Sequence, residues 1–171
     1  MKFFATYFFL FGMYSFYLNK TQQKATVFSC SPITKTIASH VQKLSNIMGY
    51  NASVEQNIGE LSMKFMLNGE YVSRIIEGCN SVSIIILFVA FIIAFSGGFK
   101  ATLLYGLFGS TLIYVVNLLR IIGLSILYHR FPEYQDILHD LVFPSIIYGL
   151  TFILWLTWVK YFSNINKNAA T

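Results

Sequence analysis

An apolar run over residues 82–95 follows directly on a polar stretch, residues 19–78, and this change constrains the fold more than any other feature of the chain. The two are joined by the motif Glu77-Gly78-Cys79-Asn80-Ser81. An apolar run of this kind has to be covered by protein or by lipid, because water is a poor environment for it. Cys79 therefore lies at a boundary between polar and apolar sequence.

The composition indicates that lipid covers much of the chain. Hydrophobic side chains make up 56% of the residues and charged side chains only 11%, whereas a soluble domain carries about 25% charge. The net charge is +5, but no basic run or cluster accompanies it, so we predict no nucleic-acid partner. With only Cys30 and Cys79, the sequence has no disulfide framework and no metal-ligand spacing. We predict a small integral membrane protein without a cofactor.

Hydropathy predicts an all-α membrane protein with about four transmembrane helices, forming a single membrane domain over residues 1–171. No small-x-small cleavage pattern follows the first apolar run, so we interpret that run as a retained helix rather than as a cleaved signal peptide. The predicted helices cover residues 1–18, 80–98, 102–128 and 141–159. Residues 19–78 are predicted to lie on the extracytoplasmic side.

Residues 19–78 carry secondary-structure signals of their own. Ser31-Pro32 is a helix-start signal, and apolar residues then recur at helical spacing until Gly49. Asn68-Gly69 separates two strand-like runs, and this dipeptide favours a two-residue hairpin turn, since both turn positions need positive φ. The segment is therefore predicted to form a small helix-plus-β-hairpin insertion.

The third predicted helix contains two informative pairs. Gly106 and Ser110 have the small-xxx-small spacing that lets a neighbouring helix approach closely. Asn117 and Arg120 are three residues apart and share one face. An arginine inside a membrane helix is costly, so it usually faces a functional site; the alternative is that its side chain reaches out to lipid head groups.

The charge distribution predicts the orientation. Four helices place both termini on one side with Lys2, Lys100, Lys160 and Lys167, and every Asp and Glu on the other. The positive-inside rule then makes the termini cytoplasmic.

In this topology Cys79, Arg120 and His139 all lie near the extracytoplasmic face. Cys79 begins the second helix, Arg120 lies about 27 Å along the third helix from Thr102, and His139 directly precedes the fourth.

These three residue types are suited to covalent catalysis. The thiolate of Cys79 is a candidate nucleophile, His139 can exchange protons near neutral pH, and Arg120 can stabilise an oxyanion. Asp140 could orient the imidazole, although adjacent side chains often point apart. Each residue also has a structural interpretation: a buried small cysteine, an interfacial histidine and an arginine at the head groups. Cys30 has no comparable neighbours.

The sequence resembles the exosortases and archaeosortases, and most closely the short type F exosortases. The resemblance covers roughly residues 60–160 and rests on Glu77-Gly78-Cys79-Asn80-Ser81, on Asn117-x-x-Arg120 and on His139. It implies a multi-pass enzyme of the cell (inner) membrane whose catalytic residues are Cys79, Arg120 and His139. Many family members have Cys-Ser-Gly where this chain has Cys79-Asn80-Ser81.

The resemblance also implies partners and an activity. Such enzymes are thought to cleave a C-terminal sorting signal of membrane-tethered substrate proteins and to transfer the new carboxyl end to a surface lipid or glycan acceptor. A non-enzymatic membrane assembly or scaffold subunit is the alternative, and it would tolerate Cys79→Ala.

Overall fold

The structure is a computed structural model that describes residues 2–24, 28–95, 97–134 and 137–163. The α-helices are α1 (Lys2–Thr21), α2 (Pro32–Ile47), α3 (Val82–Ala94), α4 (Phe99–Arg130) and α5 (Phe143–Tyr161). The strands are β1 (Gln23–Lys24), β2 (Phe28–Ser29), β3 (Ala52–Gln56), β4 (Ser62–Leu67) and β5 (Glu70–Ile76). Short 3₁₀ helices cover Glu77–Asn80 and Pro132–Tyr134, and a π-helix covers Leu138–Val142. The protein is thus mostly helical.

The chain divides into two compact units. The helical unit comprises Met1–Ser15, Ser81–Val115 and Ser145–Thr171. The mixed unit comprises Phe16–Asn80 and Val116–Pro144, and it contains all five strands.

Aromatic and branched side chains form the core of the helical unit. Its buried centre consists of Phe88, Ile92, Ile113, Leu154 and Trp158. The indole nitrogen of Trp158 donates a hydrogen bond to the carbonyl of Phe95 at 2.8 Å, which joins α5 to the end of α3. Because this bond satisfies a carbonyl left free by the helix end, it fixes the two helices as well as burying apolar surface.

Gly109 marks a close approach between α3 and α4. A Cβ atom at this position would lie 2.2 Å from the Phe88 ring, so any larger residue would require the buried ring to shift. A Cβ at Gly106 would meet nothing within 4 Å among the described residues. The sequence expectation that the Gly106–Ser110 pair carries the close helix approach is therefore wrong for this packing: the close contact lies three residues further along the helix.

Helix α2 forms where its start and stop signals predict. The Ser31 side chain caps the helix by accepting a hydrogen bond from the Thr34 amide, and Pro32 occupies the first turn. Gly49 follows the helix with a φ of 91°, a conformation that glycine adopts without strain. Helix α2 packs against β3, β4, β5 and the 3₁₀ helix Glu77–Asn80.

Strands β3, β4 and β5 form an antiparallel sheet in that order. Strands β4 and β5 pair on either side of Asn68 and Gly69, whose φ values of 53° and 86° are those required by a two-residue turn. Phe65 and Ile75 are buried. Strand β3, which pairs with β4 so that Ala52 lies opposite Leu67, has no counterpart among the sequence predictions.

Two of the described helices have an apolar character relevant to a membrane. Within the described residues, one helix, Phe99–Tyr128, is long and apolar enough to cross a membrane, and Val82–Ala94 is apolar but shorter. The predicted span 80–98 is thus shorter as a helix, because Asn80 belongs to the preceding 3₁₀ helix and the α-helix ends at Ala94. The predicted span 102–128 extends at both ends.

Candidate active site

Cys79 lies in the 3₁₀ helix that follows β5, within the mixed unit. Its thiol is free, and the residue is half-buried. The side-chain amide of Asn117, on α4, donates a hydrogen bond to the Cys79 carbonyl at 2.8 Å. Asn117 is fully buried. The backbone of the candidate nucleophile is therefore tied to the helix that carries the candidate oxyanion donor, Arg120.

The Glu77 carboxylate ties the same 3₁₀ helix to the beginning of α2. It accepts hydrogen bonds from the Ser31 amide at 2.7 Å and from the Ser31 hydroxyl at 3.0 Å. The Thr34 hydroxyl and, at 3.3 Å, the Asn80 side-chain amide also donate to it. A carboxylate is favoured at this position because the amides at a helix N-terminus are positively polarised.

A small cavity of about 40 Å³ brings Cys79 and Arg120 together. This volume is large enough to hold a water molecule. The hydroxyls of Ser73 and Ser125 lie 2.7 Å apart on its wall and link β5 to α4. The remaining lining residues are Arg74, Ile75, Ile121, Leu124 and Tyr128.

Arg120 offers an unused hydrogen-bond donor beside this cavity. Its Nε atom is buried and has no hydrogen-bond partner among residues 2–24, 28–95, 97–134 and 137–163. The same is true of the Asn117 Oδ1 atom, one helical turn away. A buried donor without a partner costs about 1–3 kcal/mol, so such groups are rare unless a ligand or reacting group uses them.

His139 and Asp140 lie in the π-helix Leu138–Val142, which leads directly into α5. Single turns of π-helix are rare and occur frequently at functional sites. The side chains of His139 and Asp140 are outside the part of the chain that the structure describes.

Cys30 has a different environment. It is 1% exposed, its amide donates to the Gln56 side-chain oxygen at 3.1 Å, and the Gln56 amide contacts its sulfur at 3.8 Å. Burial raises the pKa of the Cys30 thiol, which disfavours the reactive thiolate. Across the described residues, no three His, Cys, Asp or Glu side chains are grouped as a metal site would require.

A family model described as "Transmembrane exosortase (Exosortase_EpsH)" matches residues 1–159. The chain belongs to the transmembrane exosortase family. This confirms the family predicted from the Cys79, Arg120 and His139 motifs and places the protein in a membrane. Exosortases are membrane-embedded, sortase-like processing enzymes, generally cysteine peptidases or transpeptidases. No curated protein and no solved structure matches the chain.

Two features of this exosortase's site escaped the sequence analysis. The sequence predicts that Asn117 shares a face with Arg120 and that Asn117 and Glu77 belong to motifs, but it does not predict their hydrogen-bond partners. Glu77 stands two residues before Cys79, and Ser31-Pro32 marks a helix start that attracts carboxylates. These signals were present, but a separation of 46 residues hides the pairing from local patterns.

Proposed function

We propose that this exosortase is a cysteine transpeptidase in which Cys79 is the nucleophile, Arg120 stabilises the oxyanion and His139 transfers protons. One observation carries the proposal: the buried Arg120 Nε has no partner among the described residues and belongs to a residue lining the same cavity as Cys79. Transition-state stabilisation requires a hydrogen-bond donor that is free in the resting enzyme and binds the oxyanion when it forms during the reaction.

The reaction has two halves. The Cys79 thiolate attacks the carbonyl carbon of a substrate amide, and the electron pair of the C=O bond moves to the oxygen, which the Arg120 guanidinium stabilises. The oxyanion then collapses, the C–N bond breaks, and the leaving amine takes a proton from the His139 imidazolium. In the second half, neutral His139 takes a proton from an acceptor nucleophile, which attacks the thioester and releases the Cys79 thiolate.

The substrates in this proposal are membrane-tethered proteins with a C-terminal sorting signal, and a surface lipid or glycan is the acceptor. The motifs quoted above favour the short type F group within the family. We further propose four membrane spans with cytoplasmic termini and an extracytoplasmic site. The support is the segregation of the acidic residues from Lys2, Lys100, Lys160 and Lys167 along the sequence.

The test compares Cys79→Ser with Cys30→Ser at matched membrane abundance. Loss of a substrate's C-terminal segment is followed in cells by gel mobility and mass spectrometry. We expect Cys79→Ser to abolish processing, because a hydroxyl is far harder to ionise than a thiol. We expect Cys30→Ser to process normally, since Cys30 lies outside the cavity. Normal processing by Cys79→Ser would refute the enzyme and leave a scaffold subunit.

A further inference from the structure

We infer that Glu77 is a positioning residue for Cys79: its carboxylate, held at the N-terminus of α2, fixes the 3₁₀ helix on which the thiol is carried. This inference rests on the proposed function of Cys79. It adds a residue that acts through the backbone of the nucleophile rather than on the substrate.

The hydrogen-bond donors around the Glu77 carboxylate hold this side chain, and with it the 3₁₀ helix, in one position. Each oxygen of the carboxylate is engaged: Oε1 accepts from the Ser31 amide, and Oε2 accepts from the Ser31 and Thr34 hydroxyls and the Asn80 amide. Ser31, Thr34 and Asn80 are each at most 1% exposed. Hydrogen bonds to a carboxylate are about twice as strong as those between neutral groups, and here water competes little.

The contacts around Cys79 show why the hydrogen bonds of Glu77 affect the position of the thiol. Glu77 and Asn80 bracket Cys79 in one turn of 3₁₀ helix, and their side chains bond to each other and to α2. On the α4 side, Asn117 holds the Cys79 carbonyl. The turn is therefore held by α2 on one side and α4 on the other, which limits the positions that the Cys79 sulfur can take relative to Arg120. A misplacement of about 1 Å can cost a reaction roughly a hundredfold in rate.

The experiment uses the full-length protein in detergent with Cys30→Ala, so that iodoacetamide reports on Cys79 alone. Glu77→Gln replaces one carboxylate oxygen by an amide donor, which then faces either the Asn80 amide or the Ser31 amide, so two donors face each other in either orientation. We expect the loosened turn to expose the thiol, so that alkylation becomes faster while substrate processing per folded molecule falls roughly tenfold to a hundredfold. The fall should be in kcat rather than in KM.

A second variant tests the hydrogen bond by reversing its direction. In Glu77→Gln combined with Asn80→Asp, the amide at position 77 can donate to the carboxylate at position 80, and the hydroxyls of Ser31 and Thr34 can rotate to suit. We expect slow alkylation and most of the processing to return. Glu55→Gln is the matched control: it makes the same change to an exposed carboxylate on β3 in the mixed unit, and Glu55 is not among the residues lining the Cys79 cavity.

The inference is supported if Glu77→Gln speeds alkylation of Cys79 and slows substrate processing, and if adding Asn80→Asp reverses both changes. Unchanged alkylation and kcat in Glu77→Gln would overturn it, while an inactive Cys79→Ser would still uphold the proposed function. If Cys79→Ser processes normally, the proposed function fails, although faster alkylation of Glu77→Gln would still show that Glu77 fixes the turn. If Glu77→Gln does not accumulate, Ser31→Ala replaces it, because, of the hydrogen bonds to the Glu77 carboxylate, this variant removes only that of the Ser31 hydroxyl. Faster alkylation of Cys79 together with slower processing would then support the inference, and no change in either rate would overturn it.

Discussion

The side-chain amide of Asn117 donates a hydrogen bond to the carbonyl oxygen of Cys79 at 2.8 Å, across 38 residues of sequence. Asn117→Asp removes this donor and turns a carboxylate towards a carbonyl. We expect a loss of about 1–3 kcal/mol in the free energy of unfolding and a clear fall in processing. Thermal unfolding in detergent measures the first quantity, and Thr111→Ala, at an exposed position on α4, is the control that should change neither.

Arg120→Lys should lose activity while the protein still folds. The substitution keeps the positive charge but removes the Nε donor that is buried beside the cavity. Removal of one oxyanion donor typically costs about 10²–10³ in kcat, so we expect a loss of that size. Arg130→Lys, at the exposed end of α4, should process normally. Wild-type kcat in Arg120→Lys would remove the oxyanion role.

Cys30 should react more slowly than Cys79 with iodoacetamide in the folded protein, and unfolding should abolish the difference. The raised pKa of the Cys30 thiol means that folding favours its protonated form. Its contribution to stability is therefore present below the pKa of the unfolded thiol and is lost as the pH rises through the folded pKa. Alkylation followed by peptide mass spectrometry, from neutral to alkaline pH, measures the reaction rates of Cys30 and Cys79 in the folded and the unfolded protein. Equal rates for the two cysteines in the folded protein at neutral pH would contradict the prediction.

Gly109→Ala should destabilise the helical unit, whereas Gly106→Ala should not. The added methyl at position 109 would overlap the Phe88 ring, and such overpacking typically costs about 1–3 kcal/mol. At position 106 the methyl meets no described residue within 4 Å, and alanine has the higher helix propensity by about 0.8–1.0 kcal/mol. The two variants differ by one helical turn, so their melting temperatures give a direct comparison. Equal melting temperatures would show that α3 and α4 pack elsewhere.

Ser81→Gly should raise stability without harming processing. Ser81 has a φ of 57°, a left-handed conformation that costs a non-glycine residue about 1–2 kcal/mol, and its buried hydroxyl has no partner among the described residues. We expect a gain of about 0.5–1 kcal/mol, after allowing for the greater chain entropy of glycine. Ser83→Gly, inside α3, should have the opposite effect on the melting temperature.

The start of α2 and the turn at Asn68-Gly69 could be predicted because their signals are local. A capping serine followed by proline, or two adjacent residues able to adopt positive φ, determine the backbone over a few residues. Strand β3 could not be found in this way. Its burial alternates weakly, and it becomes a strand by pairing with β4, the next strand along the chain, which supplies hydrogen bonds that the residues of β3 cannot supply themselves.

The candidate site likewise contains residues that local sequence predicts and residues whose part in the site depends on long-range contacts. Cys79 and Arg120 were predicted from residue type and helix depth, and they line one cavity. Glu77 and Asn117 required the fold, because each acts through a bond to a residue far away in the chain. Hydrophobic periodicity shows which face of a helix is covered, but it carries no information about which polar side chains meet.

The turn that carries Cys79 is held by hydrogen bonds to α2 and to α4, and this has a consequence for biosynthesis. Ser31 is translated before Cys79 and Asn117 after it, so the thiol reaches its final geometry only when a later helix has been made and inserted. A nascent chain that ends before α4 would carry the cysteine without the bond to its carbonyl and without the guanidinium. In the proposed mechanism, the polypeptide therefore has a thiol but cannot process a substrate until α4 has been made.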